Sequence, residues 1–153
     1  MSRLVVGASS TDLAVFAAES AISLLGEGHR VILLCVTNPA LVASPASDSE
    51  AVATARLTLD TDAGPEDVLA SAERVEADAR SDIDEALRSR HLDDKVRVRV
   101  DTGELGETLC RVALEERADL IVLGRRRATR ARRLRMVIEA AHCPVLVVNE
   151  RRA

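Results

Sequence analysis

The chain has 153 residues, 47% of them apolar, and a formal net charge of −4, which suits one domain with its own core and contains no apolar stretch of membrane-spanning length. With no Trp, no Tyr and one Phe, Phe16, it has no aromatic platform on which bases could stack. The core must be built from Leu, Val, Ile and Ala. Cys35, Cys110 and Cys143 are odd in number, far apart and set in apolar surroundings, so they read as small buried hydrophobes, not as a disulfide framework or zinc site. The N-terminus lacks a signal peptide's basic-then-apolar pattern, and the expected address is the cytoplasm.

The predicted elements alternate along the chain. Residues 3–8 form a short apolar strand, followed by the polar turn Ser9, Ser10, Thr11, Asp12. Thr11 or Asp12 is placed to cap a helix running to Leu25, with Val15, Ala18, Ile22 and Leu25 as its apolar stripe, and Gly26 and Gly28 stop it. Residues 30–37 read as a second strand whose unbroken apolar run requires cover on both faces. Residues 38–64, with Pro39 and Pro45, read as an irregular connection with a helical turn near Glu50 to Ala55. Pro65 opens a long helix to Ser89, with Val68, Ala72, Val75, Ala79, Ile83 and Leu87 facing inward and a mixed-charge face toward solvent.

Val96, Val98 and Val100 alternate with Arg97 and Arg99, the pattern of a half-exposed edge strand. After the turn at Thr102 and Gly103, residues 104–116 form a helix with Leu105, Leu109, Val112 and Ala113 inward. Residues 119–123 are a fourth strand, 125–141 an arginine-studded helix and 145–148 a fifth strand. This alternation predicts an α/β three-layer sandwich, a parallel sheet with helices on both faces, as a single domain over residues 1–150.

A strand that ends in glycine and feeds a helix is where open parallel sheets hold anions, and Gly124 is such a residue. Arg125, Arg126 and Arg127 follow it where a phosphate loop would want glycine. Seven arginines and no acid lie within residues 125–135, giving an acidic body one basic knob. Such a patch attracts an anionic ligand or an acidic protein face. It also reads as a solvated helix face in an arginine-rich chain, where Lys95 is the single lysine.

Other chemistry is poorly served. The segment Gly7-Ala-Ser9-Ser-Thr11 lacks the second glycine of a nucleophile elbow, His29 and His91 belong at the opposite end of the sheet, and His142 reads as a cation at a helix C-terminus. No His, Cys or Asp residues stand at metal-ligand spacing. The arginine knob lacks a reading helix or aromatic partner for nucleic acid. The chain is therefore expected to be neither a hydrolase, a metalloprotein nor a nucleic-acid binder.

Four segments, taken in order, resemble the universal stress protein (UspA-like) family: the opening strand into a Ser-rich turn; Val31 to Val36; Val100-Asp-Thr-Gly103 leading into Glu107; and Ala118-Asp-Leu-Ile-Val-Leu-Gly124 closing with Cys143-Pro-Val-Leu-Val-Val148. The resemblance implies an adenine-nucleotide alpha-hydrolase-like fold with a five-stranded sheet in order 3-2-1-4-5. It also implies a homodimer through the last strand, Val145, Leu146, Val147 and Val148, whose apolar edge would otherwise be exposed. ATP-binding members carry Gly-x2-Gly-x9-Gly-Ser/Thr after the fourth strand. Here Gly124 fits the first glycine, but Arg127 stands at the second, and Ala131 and Arg132 stand where the later pair falls. Ala8 and Ser9 replace the acid that meets adenine.

The resemblance thus implies a dimeric binding or regulatory module with a degenerate nucleotide motif, non-catalytic and without tight ATP binding. Ala8, Ser9, Ser10, Val36, Gly103 and Gly124 would line what survives of the site. The alternative is a nucleotide switch for ATP, AMP or cyclic AMP, in which Arg125, Arg127, Arg130 and Arg132 replace backbone amides with guanidinium forks. Magnesium would enter only with ATP.

Overall fold

The computed structural model describes residues 1–37, 65–126 and 131–150, with backbone alone at 65–73 and 75. The expected 38–64 connection, its helical turn, and Arg127 and Arg130 lie outside the described residues, as do the inward positions expected for Val68, Ala72 and Val75. Five strands form one sheet: β1 (Arg3–Gly7), β2 (Arg30–Thr37), β3 (Val96–Thr102), β4 (Leu120–Arg125) and β5 (Val145–Asn149). Their order is β3-β2-β1-β4-β5, and every neighbouring pair is parallel. The helices are α1 (Thr11–Leu25), α2 (Pro65–Ser89), α3 (Leu105–Glu115) and α4 (Ala131–Ala140).

Alternation along the central strands sorts the core into two layers. Leu4, Val6, Val31 and Leu33 pack with Ala14, Ala17, Ala18 and Ala21 of α1 and with Ile83 and Leu87 of α2. Val5, Ile32, Leu34, Ile121 and Leu123 pack on the other face with Leu109, Val112 and Ala113 of α3 and Val137 of α4. The unbroken run in β2 is buried from Val31 to Leu34, as a sheet covered on both sides demands. The alanine stripe of α1 leaves little side chain between helix and sheet, so the helix axis can lie close.

Local signals differ from expectation at several points. The N-cap of α1 is Ser10, not Thr11 or Asp12; its backbone is extended (φ −142°, ψ 158°) and its Oγ accepts from the Leu13 N–H at 3.3 Å. Leu25 is 42% exposed and not part of the inward stripe. Glu104 caps α3, its carboxylate accepting from the Glu107 N–H at 2.9 Å. His142 Nε2 donates to the Ala118 carbonyl at 3.2 Å, which precedes β4, and so does not serve the last carbonyls of α4. The three cysteines are free and half-buried, and burial is the main cause raising each thiol's pKa.

On the β3 edge, Arg99 is held by Glu115 at 2.5 Å, Glu116 at 2.9 Å and Asp101 at 3.3 Å, and Arg111 joins Asp101 and Glu115 at 3.1 and 3.0 Å. This network fastens the edge strand to the end of α3. Burial pushes Asp101 upward, but the Thr102 N–H, Arg111 and Arg99 outweigh it and hold the carboxyl below its ordinary 3.8. Hydrogen bonds from Arg99 and Arg111 likewise hold Glu115 below its ordinary 4.5. Carboxylates depressed in the fold contribute stability above their unfolded pKa and lose it as pH falls through the folded value. Arg99→Ala is therefore expected to lower Tm by about 2–5 °C at neutral pH. The gap from wild type should be full above pH 4.5 and shrink below 3.8. A gap that stays constant in acid would mean that the network contributes nothing beyond packing.

Candidate functional site

Strand order reverses between β1 and β4: α1, which follows β1, lies on one face of the sheet, and α4, after β4, lies on the other. The crevice above the C-terminal ends of these two strands is where such sheets bind ligands. Its floor is set by a close approach. A Cβ built on Gly124 would lie 3.0 Å from Ala8 Cβ, 3.1 Å from Leu13 Cγ and 3.2 Å from the Leu13 carbonyl oxygen. A side chain at Gly124 would thus press on the first turn of α1 where it packs over β4, before any ligand is considered.

That packing brings Ser10 to the crevice, where Arg126 meets it. Arg126 Nη2 donates to Ser10 Oγ at 3.1 Å, and Arg126 Nε faces Glu150 Oε2 at 3.5 Å. Ser10 Oγ therefore accepts from both the Leu13 N–H and Arg126, which uses its two lone pairs and leaves its O–H as a donor. Glu150 is held by the sheet itself. Arg125 pairs with Asn149 in the β4–β5 register, and the Glu150 N–H donates to the Arg125 carbonyl at 2.8 Å. Arg125 is half-buried, and its Nε has no hydrogen-bond partner among the described residues.

The remaining candidates fall around this centre. Ala8 contacts the Gly124 position and Ser9 is exposed beside it. Val36 is half-buried near the end of β2, packed against the α3–α4 layer. Gly103, at φ +143°, closes the turn after β3, donating its N–H to the Thr37 carbonyl at 3.0 Å; a Cβ there would meet Thr108 Oγ1 at 2.7 Å. Ala131 and Arg132 open α4, both exposed. Arg133 faces Glu104, 3.6 Å away. Sequence reasoning named Arg126 in the basic turn but not among the guanidinium forks, and it passed over Glu150 and Glu104. The signal for the first pair was the β4–β5 register, which puts the residue after Arg125 beside the residue after Asn149.

His29 and His91 lie at the other end of the strands from Ser9: His29 Nε2 donates to the Leu25 carbonyl at 3.1 Å, and His91 sits in the turn after α2. Among the described residues no group of three His, Cys, Asp or Glu could hold a metal ion, and no helix is long and apolar enough to cross a membrane.

A five-stranded parallel sheet in this order, covered by helices on both faces, has the adenine-nucleotide alpha-hydrolase-like architecture. The chain belongs to the universal stress protein family, whose sequence model matches residues 1–149. Its fold is similar to that of a universal stress protein family member from Burkholderia pseudomallei (21% identity, TM-score 0.61, covering 96% of this chain and 95% of that one). It is also similar to a family protein from Arabidopsis thaliana with AMP bound (14%, 0.60, 99% and 93%) and to a universal stress protein in complex with cAMP (20%, 0.52, 96% and 96%). Among curated proteins no relative matches the sequence.

Gly124→Ala should destabilise the fold by about 1–3 kcal/mol, because the new methyl meets a backbone carbonyl that cannot rotate away. Urea unfolding measures this directly. An unchanged midpoint would show that α1 can move off β4 freely, and the packing role assigned to Gly124 would be wrong.

Proposed function

We propose that the protein is a non-catalytic, cytoplasmic stress-response module that acts as a homodimer and binds or regulates without holding ATP tightly. The observation that carries this reading is Arg126, a side chain standing on the N-cap of α1 where a glycine loop would offer backbone amides to a phosphate. A polyphosphate entering the crevice has to displace that guanidinium or share it with Glu150. The arginines around it give the same face an affinity for a compact anion or an acidic protein surface. Nucleic acid is the poorer partner, since stacking groups are lacking.

A second reading has a specific observation behind it. Two proteins of similar fold carry AMP or cAMP, and a guanidinium at the switch point suits a single phosphate group. In this reading the chain is an adenine-nucleotide switch, and magnesium has a place only if ATP itself binds.

Calorimetric titration of nucleotide-stripped protein with ATP, with and without magnesium, and then with AMP and cyclic AMP separates the two. The first reading expects ATP dissociation constants weaker than about 100 μM. Micromolar ATP binding would overturn it, and micromolar AMP or cyclic AMP binding alone would move the second reading ahead.

The dimer reading rests on β5, which ends the sheet with Val145, Leu146 and Val147 only half-buried. Val147→Lys places a charge on this edge at a residue outside both core layers, so the monomer should remain folded. Light scattering is expected to show the mass of one chain, with the circular dichroism of wild type. An unchanged dimer mass would rule out self-pairing of β5.

A further inference from the structure

We propose that Glu150 is the resident anion of the phosphate turn, a carboxylate that holds Arg126 in place until a ligand's phosphate group replaces it. The inference rests on the reading that the β1–β4 crevice takes an anion, and it names the residue that sets the site's affinity and selectivity. Arg126 is the shared element. One nitrogen is committed to Ser10 Oγ at 3.1 Å, while Nε is turned toward Glu150 at 3.5 Å. The carboxylate is not there by a side-chain accident, because the Glu150 N–H is tied to the Arg125 carbonyl as a continuation of the β4–β5 pairing. The anion and its cation are thus delivered to one place by adjacent strands.

The pair is suited to exchange. Both side chains are close to half exposed, 46% for Arg126 and 48% for Glu150, so the attraction is screened and weak, and a doubly charged phosphate competes well against one carboxylate. Ser10 adds to the preference: with its lone pairs used, its hydroxyl hydrogen can point only toward an acceptor. Glu104, facing Arg133 at 3.6 Å, gives the α4 side of the same end of the sheet a second paired carboxylate. One guanidinium and one hydroxyl donor are few groups to hold a chain of phosphates. The ligand class that fits is one bearing a single compact phosphate group, either a nucleoside monophosphate or inorganic phosphate.

The test is a set of dissociation constants from NMR titration of the isotope-labelled full chain with AMP, inorganic phosphate and adenosine. Wild type, Glu150→Gln, Arg126→Gln and the double variant are compared. Glu150→Gln is expected to tighten AMP about two- to five-fold, the range an exposed ion pair allows, and to leave adenosine unchanged. Arg126→Gln should weaken AMP, and the gain from Glu150→Gln should disappear in its background. A gain in inorganic phosphate binding equal to that in AMP would assign the exchange to the phosphate group alone. Equal AMP binding by wild type and Glu150→Gln, or a gain that survives in the double variant, would overturn the role of Glu150 while leaving the anion-binding reading intact. Silence from every variant toward AMP and phosphate alike would overturn both.

Discussion

The upper end of this sheet depends on the space left by the missing side chain at Gly124. The first turn of α1 sits against that glycine, with the Leu13 carbonyl 3.2 Å from where a Cβ would be. Ser10 is carried with it to the β1–β4 switch point. The register of β4 and β5 then sets Arg126 and Glu150 beside the same serine. Magnitudes show which of these contacts governs the others. A fully buried Leu or Val is worth about 1.5–3 kcal/mol, and α1 buries Leu13 and Val15 along with four alanines. An exposed ion pair is worth about 1 kcal/mol at most. Core packing therefore governs the geometry of this end of the sheet, and the half-exposed Arg126–Glu150 pair adds little to it.

The arginine cluster is likewise divided by the partners its members find. In the sequence it is a basic run without an acid, but among the described residues two of its members face carboxylates brought from distant segments, Arg126 with Glu150 and Arg133 with Glu104. Part of the cluster's charge is thus met by carboxylates, while Arg132 and Arg135 stay exposed on α4.

Most of the fold was legible because it follows from periodicity. The unbroken apolar run of β2 called for helices on both faces, and the Val–Arg alternation of β3 called for an edge; both are found. The cap of α1 was misplaced because Ser9 to Asp12 are four consecutive residues able to cap, and only the docking of α1 on β4 chooses Ser10. Glu104 was missed as a cap because glutamate is an uncommon one, although Glu107 at the third helical position gave a hint. Leu25 was assigned inward by spacing alone, yet the last turn of α1 leaves it exposed. The site was less legible for a plainer reason. Arg126 and Glu150 are 24 positions apart, and nothing local joins them until strand register is known.

Replacing backbone donors by a guanidinium changes more than the strength of a phosphate site. Amides at a glycine turn are fixed by the fold, are always present and have no alternative partner within reach, so the affinity they give is built in. A guanidinium on a flexible stem loses rotamer freedom when it binds, is screened by salt while exposed, and can be held by an internal carboxylate. Its affinity is a difference between two partners and can be shifted by anything that acts on either. Arg126 lies between Ser10, which belongs to the rigid layer of α1, and Glu150, which follows the last strand. Glu150 follows directly on the edge strand, so a partner paired along β5, as proposed, would adjoin the segment that carries it. If the crevice takes a ligand and the edge a partner, as proposed, occupancy of the one and assembly at the other are linked to the extent that either moves Glu150.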